Sequence, residues 1–326
     1  MAYNKKYEKF SYSKLNTFES CAFKYDLTYN KGHYTYADTV ATMMGTLVHW
    51  IEESIARSIK DGEPINYEKL KEDFLHIEIP KTSPYDQNGG IYGIDYIKRE
   101  FPEDFFKANE KGESYLTKSQ KYLQTGIYRL EKYIKANPGL TIYGMEQYFQ
   151  IDFKNHMLSG YIDRIFYDTV RDIYLIEDIK TKDKPFREED LVTPLQFVIY
   201  TKALSSMLDI PVEKIQCAYD LPFCDMKQPI TNTEYIKKGI KKLDKIFEGI
   251  ESGDFKPNPS PLCAYCPFSP TNPDQPVDAQ NLCCYYSLWT PNGSHKVWEV
   301  AHKWEGMERN EEILKEFFED PVDFDF

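Results

Sequence analysis

Two aspartates and a lysine near the middle of the chain are spaced to do metal chemistry. The stretch from residue 160 to 180 reads GYIDRIFYDTVRDIYLIEDIK, two runs rich in Ile, Tyr, Phe and Leu around a polar break at Asp168–Asp172. This is the pattern of two adjacent strands joined by a short turn. With the turn centred between Val170 and Arg171, residues whose numbers sum to 341 face each other, and Asp163 lies opposite Asp178. Cross-strand partners hold their Cβ atoms roughly 5 Å apart, a separation at which like charges repel. Lys180 follows Asp178 by two residues, and the pleat puts it on the same face. Two carboxylates and an ammonium then converge, which makes sense if a divalent cation with oxygen ligands binds the acids. A hairpin with a solvated polar face is the alternative that this stretch alone leaves open.

The cysteines form a second set. Cys263-Ala-Tyr-Cys266 is followed by Pro267, and Cys283–Cys284 come later in a Pro- and Asn-rich stretch. CxxC spacing lets two thiolates reach one metal centre, with the remaining ligands arriving from elsewhere in the chain. Cys21 is the natural distant partner, so the candidate set is Cys21, Cys263, Cys266 and Cys283 or Cys284. Cys217 and Cys224 read as ordinary thiols. Thiolates suit zinc and an iron–sulfur cluster alike.

The elements that must position these groups follow from periodicity. Ser11–Asn30 reads as a helix with Ser13 as its N-cap, carrying Cys21. A second amphipathic helix is expected over Thr42–Ile59, with Leu47, Ile51, Ile55 and Ile59 on one stripe and His49 beside it. A lone histidine on a helix is more often packed than ligating. A longer helical pattern runs from Ser114 to Lys135 and ends at Pro138 and Gly139. From Ile142 to Phe153 comes a strand carrying Glu146, then a Lys154–Asn155 turn and the central hairpin. Thr193–Pro194 starts a helix on which Gln196 and Tyr200, four apart, share a face. Lys214–Leu221 is a further strand and Asn232–Ser252 a Lys-rich helix. Helices, three antiparallel strands, helix, strand, helix: the order implies an α/β fold around a mixed sheet.

Composition sets outer limits. The chain has 326 residues, 41% of them hydrophobic, enough for a sizeable core. No stretch approaches the roughly 18 apolar residues of a membrane span. The opening MAYNKKYEKF is too polar for a signal peptide, so a cytoplasmic setting is expected, with its seven cysteines as thiols or metal ligands. The net charge of −12 disfavours a nucleic-acid partner at first sight, yet half of that excess lies in the acidic segment 306–326. That segment reads as a solvated terminus.

Taken together, SYSKLNTFESC, GTLVH, GYIDRI, EDIKT, QFVIY and CAYCPF appear in the order found in the RecB-like branch of the PD-(D/E)XK nuclease superfamily. The chain resembles that branch, and looks closest to iron–sulfur CRISPR-associated exonucleases and AddB-type nuclease domains. The resemblance implies a restriction-endonuclease-like core whose central mixed sheet is flanked by helices, with a helical insertion over 61–138. It implies one nuclease domain over 1–305, with cluster-binding segments at 11–30 and 256–290. Asp163, Asp178, the Ile179 carbonyl and His49 would hold Mg²⁺ or Mn²⁺, and Lys180 would position or activate the attacking water. Gln196 and Tyr200 would line the site and contact DNA, while Glu146 matches a frequent glutamate of uncertain role. Cys21, Cys263, Cys266 and Cys283 or Cys284 would carry a [4Fe-4S] cluster, with zinc as the alternative. The implied activity is exonuclease cleavage of single-stranded DNA or DNA ends in recombination, repair or DNA processing, with recombination or CRISPR-type proteins as partners. An inactive DNA-binding or assembly protein on the same fold, or a zinc-ribbon interaction protein, are the competing readings. Two departures from the family pattern stand out: Ala22 where proline is common after the first cysteine, and a long gap between Cys266 and Cys283.

Overall fold

The computed structural model describes residues 8–33, 38–80, 90–109, 111–231, 234–269, 282–283, 285–289 and 295–299. Cys284 and the acidic segment 306–326 lie outside them. The chain divides into two compact units, one of residues 1–12 and 38–244, the other of 13–37 and 245–326.

The first unit is built on a mixed sheet of six strands: β1 (Lys9–Phe10), β2 (Leu140–Phe153), β3 (His156–Asp168), β4 (Ile173–Ile179), β5 (Ile215–Leu221) and β6 (Met226–Pro229). β2, β3 and β4 form an antiparallel meander. Its first turn holds Lys154 and Asn155 at φ of 46° and 71°, the paired positive angles of a tight hairpin. The second turn keeps the expected register, with Arg164 opposite Glu177, Ile165 opposite Ile176 and Asp168 opposite Ile173. β4 and β5 are parallel, which requires a crossover, and the helix Leu195–Leu208 lies within it. β6 returns antiparallel to β5.

β1 was not anticipated, being two residues long. It runs parallel to β3 at Met157 and Leu158, whose other edge is already taken by β2. β1 and β4 therefore share one edge of β3, at opposite ends, and among the described residues no strand pairs with that edge between them.

Helix α1 (Val40–Asp61) covers one face of the sheet. A capping box between Thr39 and Thr42 opens it, and Gly62 at φ 70° closes it in the left-handed conformation that glycine adopts without strain. It buries Val40, Met43, Met44, Leu47, Val48, Ile51, Ile55 and Ala56. These pack in one core with Leu140, Ile142, Phe166, Leu175, Ile179 and Ala218 of the sheet, and with Leu70, Phe74, Ile97, Phe105 and Tyr122 of the helical segment that follows. The expected long helix over 114–135 is two, Tyr115–Gln124 and Arg129–Ala136, separated by a turn at Gly126. Helix α2 (Leu195–Leu208), introduced by Pro194, packs on the other face, where Phe197 meets Tyr219 and Thr201 meets Cys217. A hydrophobic helix buried nearly all round is what a layer inside an α/β sandwich needs.

In the second unit the expected first helix is interrupted. Helix Tyr12–Ser20 stops, Cys21 adopts an extended conformation, and Ala22–Tyr25 resumes helically into a π-turn at Asp26–Asn30. Cys21 is the extended joint between the two, its N still donating to the Thr17 carbonyl at 2.9 Å and its own carbonyl accepting from Tyr25 N at 3.1 Å. Helix α3 (Tyr235–Ser252) passes from the first unit into the second. No described helix is long and apolar enough to cross a membrane.

Candidate active site

The β3–β4 ladder ends at Arg164 and Glu177, so Asp163 and Asp178 occupy the next position of the register. There the strands part, because the Asp163 carboxylate takes the place of a backbone acceptor: Ile179 N donates to Asp163 Oδ2 at 2.7 Å. Lys180 N stays with β5, donating to the carbonyl of Asp220 at 2.9 Å. One turn along α1's stripe, His49 leans over this parting. Its Nε2 lies 2.9 Å from the Ile179 carbonyl oxygen, an acceptor, so Nε2 carries the proton. That leaves Nδ1 facing Asp163 Oδ2 at 3.6 Å and Glu146 Oε1 at 4.0 Å.

Glu146 reaches the site through an irregular backbone. The β2–β3 register shifts between Ile142 and Gly144, and after the shift Glu146 stands opposite Asp163, where the two residues leave a gap in the pairing. Glu146 has φ 42°, a conformation that costs a non-glycine residue on the order of 1–3 kcal/mol. One ligand atom each from His49, Glu146 and Asp163 lies within 4.8 Å of the other two. Two carboxylates around one imidazole nitrogen demand a positive charge between them. In the absence of a metal a proton answers that demand: loss of hydration works against the imidazolium, but Asp163 and Glu146 outweigh it and raise the His49 pKa to about 9.

Asp178 completes the cluster from within the sheet. Its side chain has no exposure to solvent. Burial, reinforced by the charge of Asp163, pushes its carboxyl above the usual carboxylate range, while Lys180 pulls the other way. Oδ1 accepts from Gln196 Nε2 at 2.7 Å. Oδ2 has Lys180 Nζ at 2.6 Å but accepts no aligned hydrogen bond, so acceptor capacity remains on a buried oxygen. Asp178 and Asp163 more than offset the loss of hydration of Lys180 and keep its ammonium charged. Gln196 and Tyr200, one turn apart on α2, hydrogen-bond to each other at 2.9 Å. Both are buried, so Gln196 faces Asp178 and Tyr200 faces Gln196 rather than open solvent.

The sequence reading missed what lies on the reverse of the same two strands. Arg164, 1% exposed, pairs with Glu177, Glu52 and Asp220. Lys227 pairs with Glu177 and Asp220, Arg129 with Asp220, and Tyr122 donates to Glu52 at 2.9 Å. A signal was present: Arg164 and Glu177 also sum to 341 and carry opposite charges directly across the hairpin.

The second unit gathers the cysteines. Cys21, Cys263, Cys266 and Cys283 line one cavity of about 180 Å³ with Phe23, Leu27 and Phe268. Asn258 N points at Cys21 Sγ and Ser260 N at Cys263 Sγ, each at 3.4 Å. Burial pushes the Cys266 thiol up, and Cys21 and Cys263 are near enough to add to the rise. Four sulfurs on one lining with two amides aimed at them fit a thiolate-bound metal centre. Cys217 is elsewhere, buried against Thr201 and Tyr235.

No curated protein sequence matches the chain. Among solved structures it is similar to a "putative exonuclease" from Eubacterium rectale, at 14% identity and TM-score 0.44, covering 81% of this chain and 88% of that one. It is also similar to a protein labelled SSO0001, at 16% identity and TM-score 0.26, covering 53% and 75%. A family model for the PD-(D/E)XK nuclease superfamily matches residues 9–271. With that match running from β1 through the sheet and both candidate centres as far as the CxxC, the chain belongs to the PD-(D/E)XK nuclease superfamily.

Proposed function

We propose that this protein is a metal-dependent exonuclease of the RecB-like branch, hydrolysing phosphodiester bonds of single-stranded DNA or DNA ends. Nucleases of the superfamily use divalent metals. The observation that carries the reading is the convergence of His49, Glu146 and Asp163 beside the Asp178–Lys180 pair. His49, Glu146, Asp163 and Asp178 would hold Mg²⁺ or Mn²⁺, with the Ile179 carbonyl as a neighbouring oxygen. Bound there, such an ion supplies Lewis acidity toward a phosphoryl oxygen and lowers the pKa of a bound water.

The chain's own groups supply the rest. His49 donates through Nε2 to Ile179 and so offers Nδ1 to the centre, a histidine tautomer fixed by its second hydrogen bond. Lys180 presents a charged ammonium beside Asp178, placed to steady charge developing on the phosphate or to orient the attacking water. Gln196, backed by Tyr200, holds Asp178 in its rotamer. For the second unit we propose a [4Fe-4S] cluster on Cys21, Cys263, Cys266 and Cys283, with zinc as the competing occupant. Recombination, repair or DNA processing is the setting this activity suits.

The test compares linear and circular single-stranded DNA with Mg²⁺ or Mn²⁺. Wild type should shorten the linear strand progressively and spare the circle, and Asp163→Ala and Lys180→Ala should leave both intact. Equal activity in all three preparations would trace the cleavage to a contaminant. Anaerobically purified protein should be brown and contain iron and sulfide, and colourless protein with zinc alone would exclude the cluster.

A further inference from the structure

Beside the candidate active site lies an aromatic pair more exposed than its place in the sheet requires. Tyr148 and Tyr161 are direct cross-strand partners on β2 and β3. Their ring centroids are 5.2 Å apart and the planes are tilted by 55°. The two residues are 41% and 52% exposed. Elsewhere in the unit, aromatic side chains such as Phe149, Phe166 and Phe197 are buried, and an exposed cluster of large rings marks a contact surface. Lys9 of β1 donates from Nζ to Tyr148 Oη at 3.3 Å and sits 5.9 Å from the centre of its ring. Tyr148 in turn donates to Gln150 Oε1 at 3.0 Å.

Position gives this pair its meaning. Tyr161 precedes Asp163 by two residues on β3, so the pleat puts both on one side of the strand, roughly 7 Å apart at about 3.3 Å per residue. β1 docks on the same strand three residues before Tyr161, at Leu158, bringing Lys9 alongside. Tyr161 and Asp163 lie on the stretch of β3 between β1 and β4, where among the described residues no strand pairs with that edge. A cation, an exposed aromatic pair and a candidate hydrolytic centre therefore lie in that order alongside β3.

We propose that Tyr148 and Tyr161, with Lys9, form a stacking platform for unpaired bases of a DNA strand whose phosphodiester lies at Asp163. Every base has a π-face, so the platform accepts any sequence, whereas in a duplex those faces are covered by neighbouring base pairs. Lys9 supplies the phosphate contact that makes such binding salt-dependent. The platform selects single strands or frayed ends for the nuclease proposed above and rests on that reading.

The test measures binding of a fluorescent oligothymidylate, and of an equally long strand lacking bases, in a Lys180→Ala background with Mg²⁺ so that the strand is not consumed. Adding Tyr148→Ala and Tyr161→Ala together should weaken binding of the base-bearing strand roughly 10- to 100-fold. Phenylalanine at both positions should restore most of it. The parent should prefer the base-bearing strand, and the double alanine variant should lose that preference. A preference that is absent in the parent, or unchanged in the alanine variant, overturns the platform while leaving the nuclease reading in place. A parent that binds neither strand overturns both.

Discussion

The two sides of the β3–β4 hairpin carry charges at adjacent positions and treat them in opposite ways. On α1's side, Arg164, Arg129 and Lys227 meet Glu52, Glu177 and Asp220, three cations against three carboxylates, all tied by ion pairs. Where the two strands part, Asp163, Asp178 and Glu146 face a single lysine and a histidine that must borrow a proton to be charged. The first set is electrically closed and the second is not. A buried network that balances itself holds a fold in one arrangement, whereas a cluster left short of positive charge is a place for an ion. Backbone geometry follows the same division: pairing is regular at Arg164 and Glu177 and gives way at Asp163 and Glu146.

Substitutions on either side of the hairpin should separate these roles. The largest effect is expected at the open cluster. Asp163→Asn should cut the metal-dependent rate by about 10²–10³-fold, the range seen when one electrostatic contributor to catalysis is removed. Its thermal unfolding should stay near wild type. Across the strand, Arg164→Met should do the reverse, because it strands Glu52, Glu177 and Asp220 with fewer partners. Removing one member of a buried ion set costs about 3–5 kcal/mol, visible as a lower urea midpoint. Arg164→Met with wild-type stability would mean that the network is not what closes that face.

Glu146→Gly should separate strain from function at a single position. Glycine adopts φ 42° freely, so stability should rise by about 1 kcal/mol while activity falls. A fall in both would mean that Glu146 supports the fold. The smallest effect is expected from Tyr200→Phe, which deletes the hydroxyl that Gln196 donates to and leaves the ring against Phe149. We expect a rate loss of about tenfold or less, at roughly 1 kcal/mol for one hydrogen bond, with metal binding retained.

Much of the open cluster was legible before any coordinates. The register of 341 follows from two apolar runs and a polar break, and it holds through the last pair before Asp163. Glu146 was not assignable, since its place depends on a register shift near Tyr143 and on a positive φ that no residue type there announces. β1 escaped because two residues carry no period. Cys21 was expected to ride a continuous helix, and the chain instead breaks there, which apolar spacing cannot reveal. The Arg164–Glu177 pair lies on the same register of 341, but Glu52, Asp220 and Lys227 join it from elements whose placement the hairpin does not set.

The central claim is that His49, Glu146, Asp163 and Asp178 make one divalent-ion site. Titration of the metal-free protein with Mn²⁺, followed by electron paramagnetic resonance, tests it directly. Wild type should take up a tightly held ion that Asp163→Asn and Glu146→Gln each lose and that the Tyr148→Ala, Tyr161→Ala variant keeps. Equal Mn²⁺ uptake in all four proteins would contradict the account.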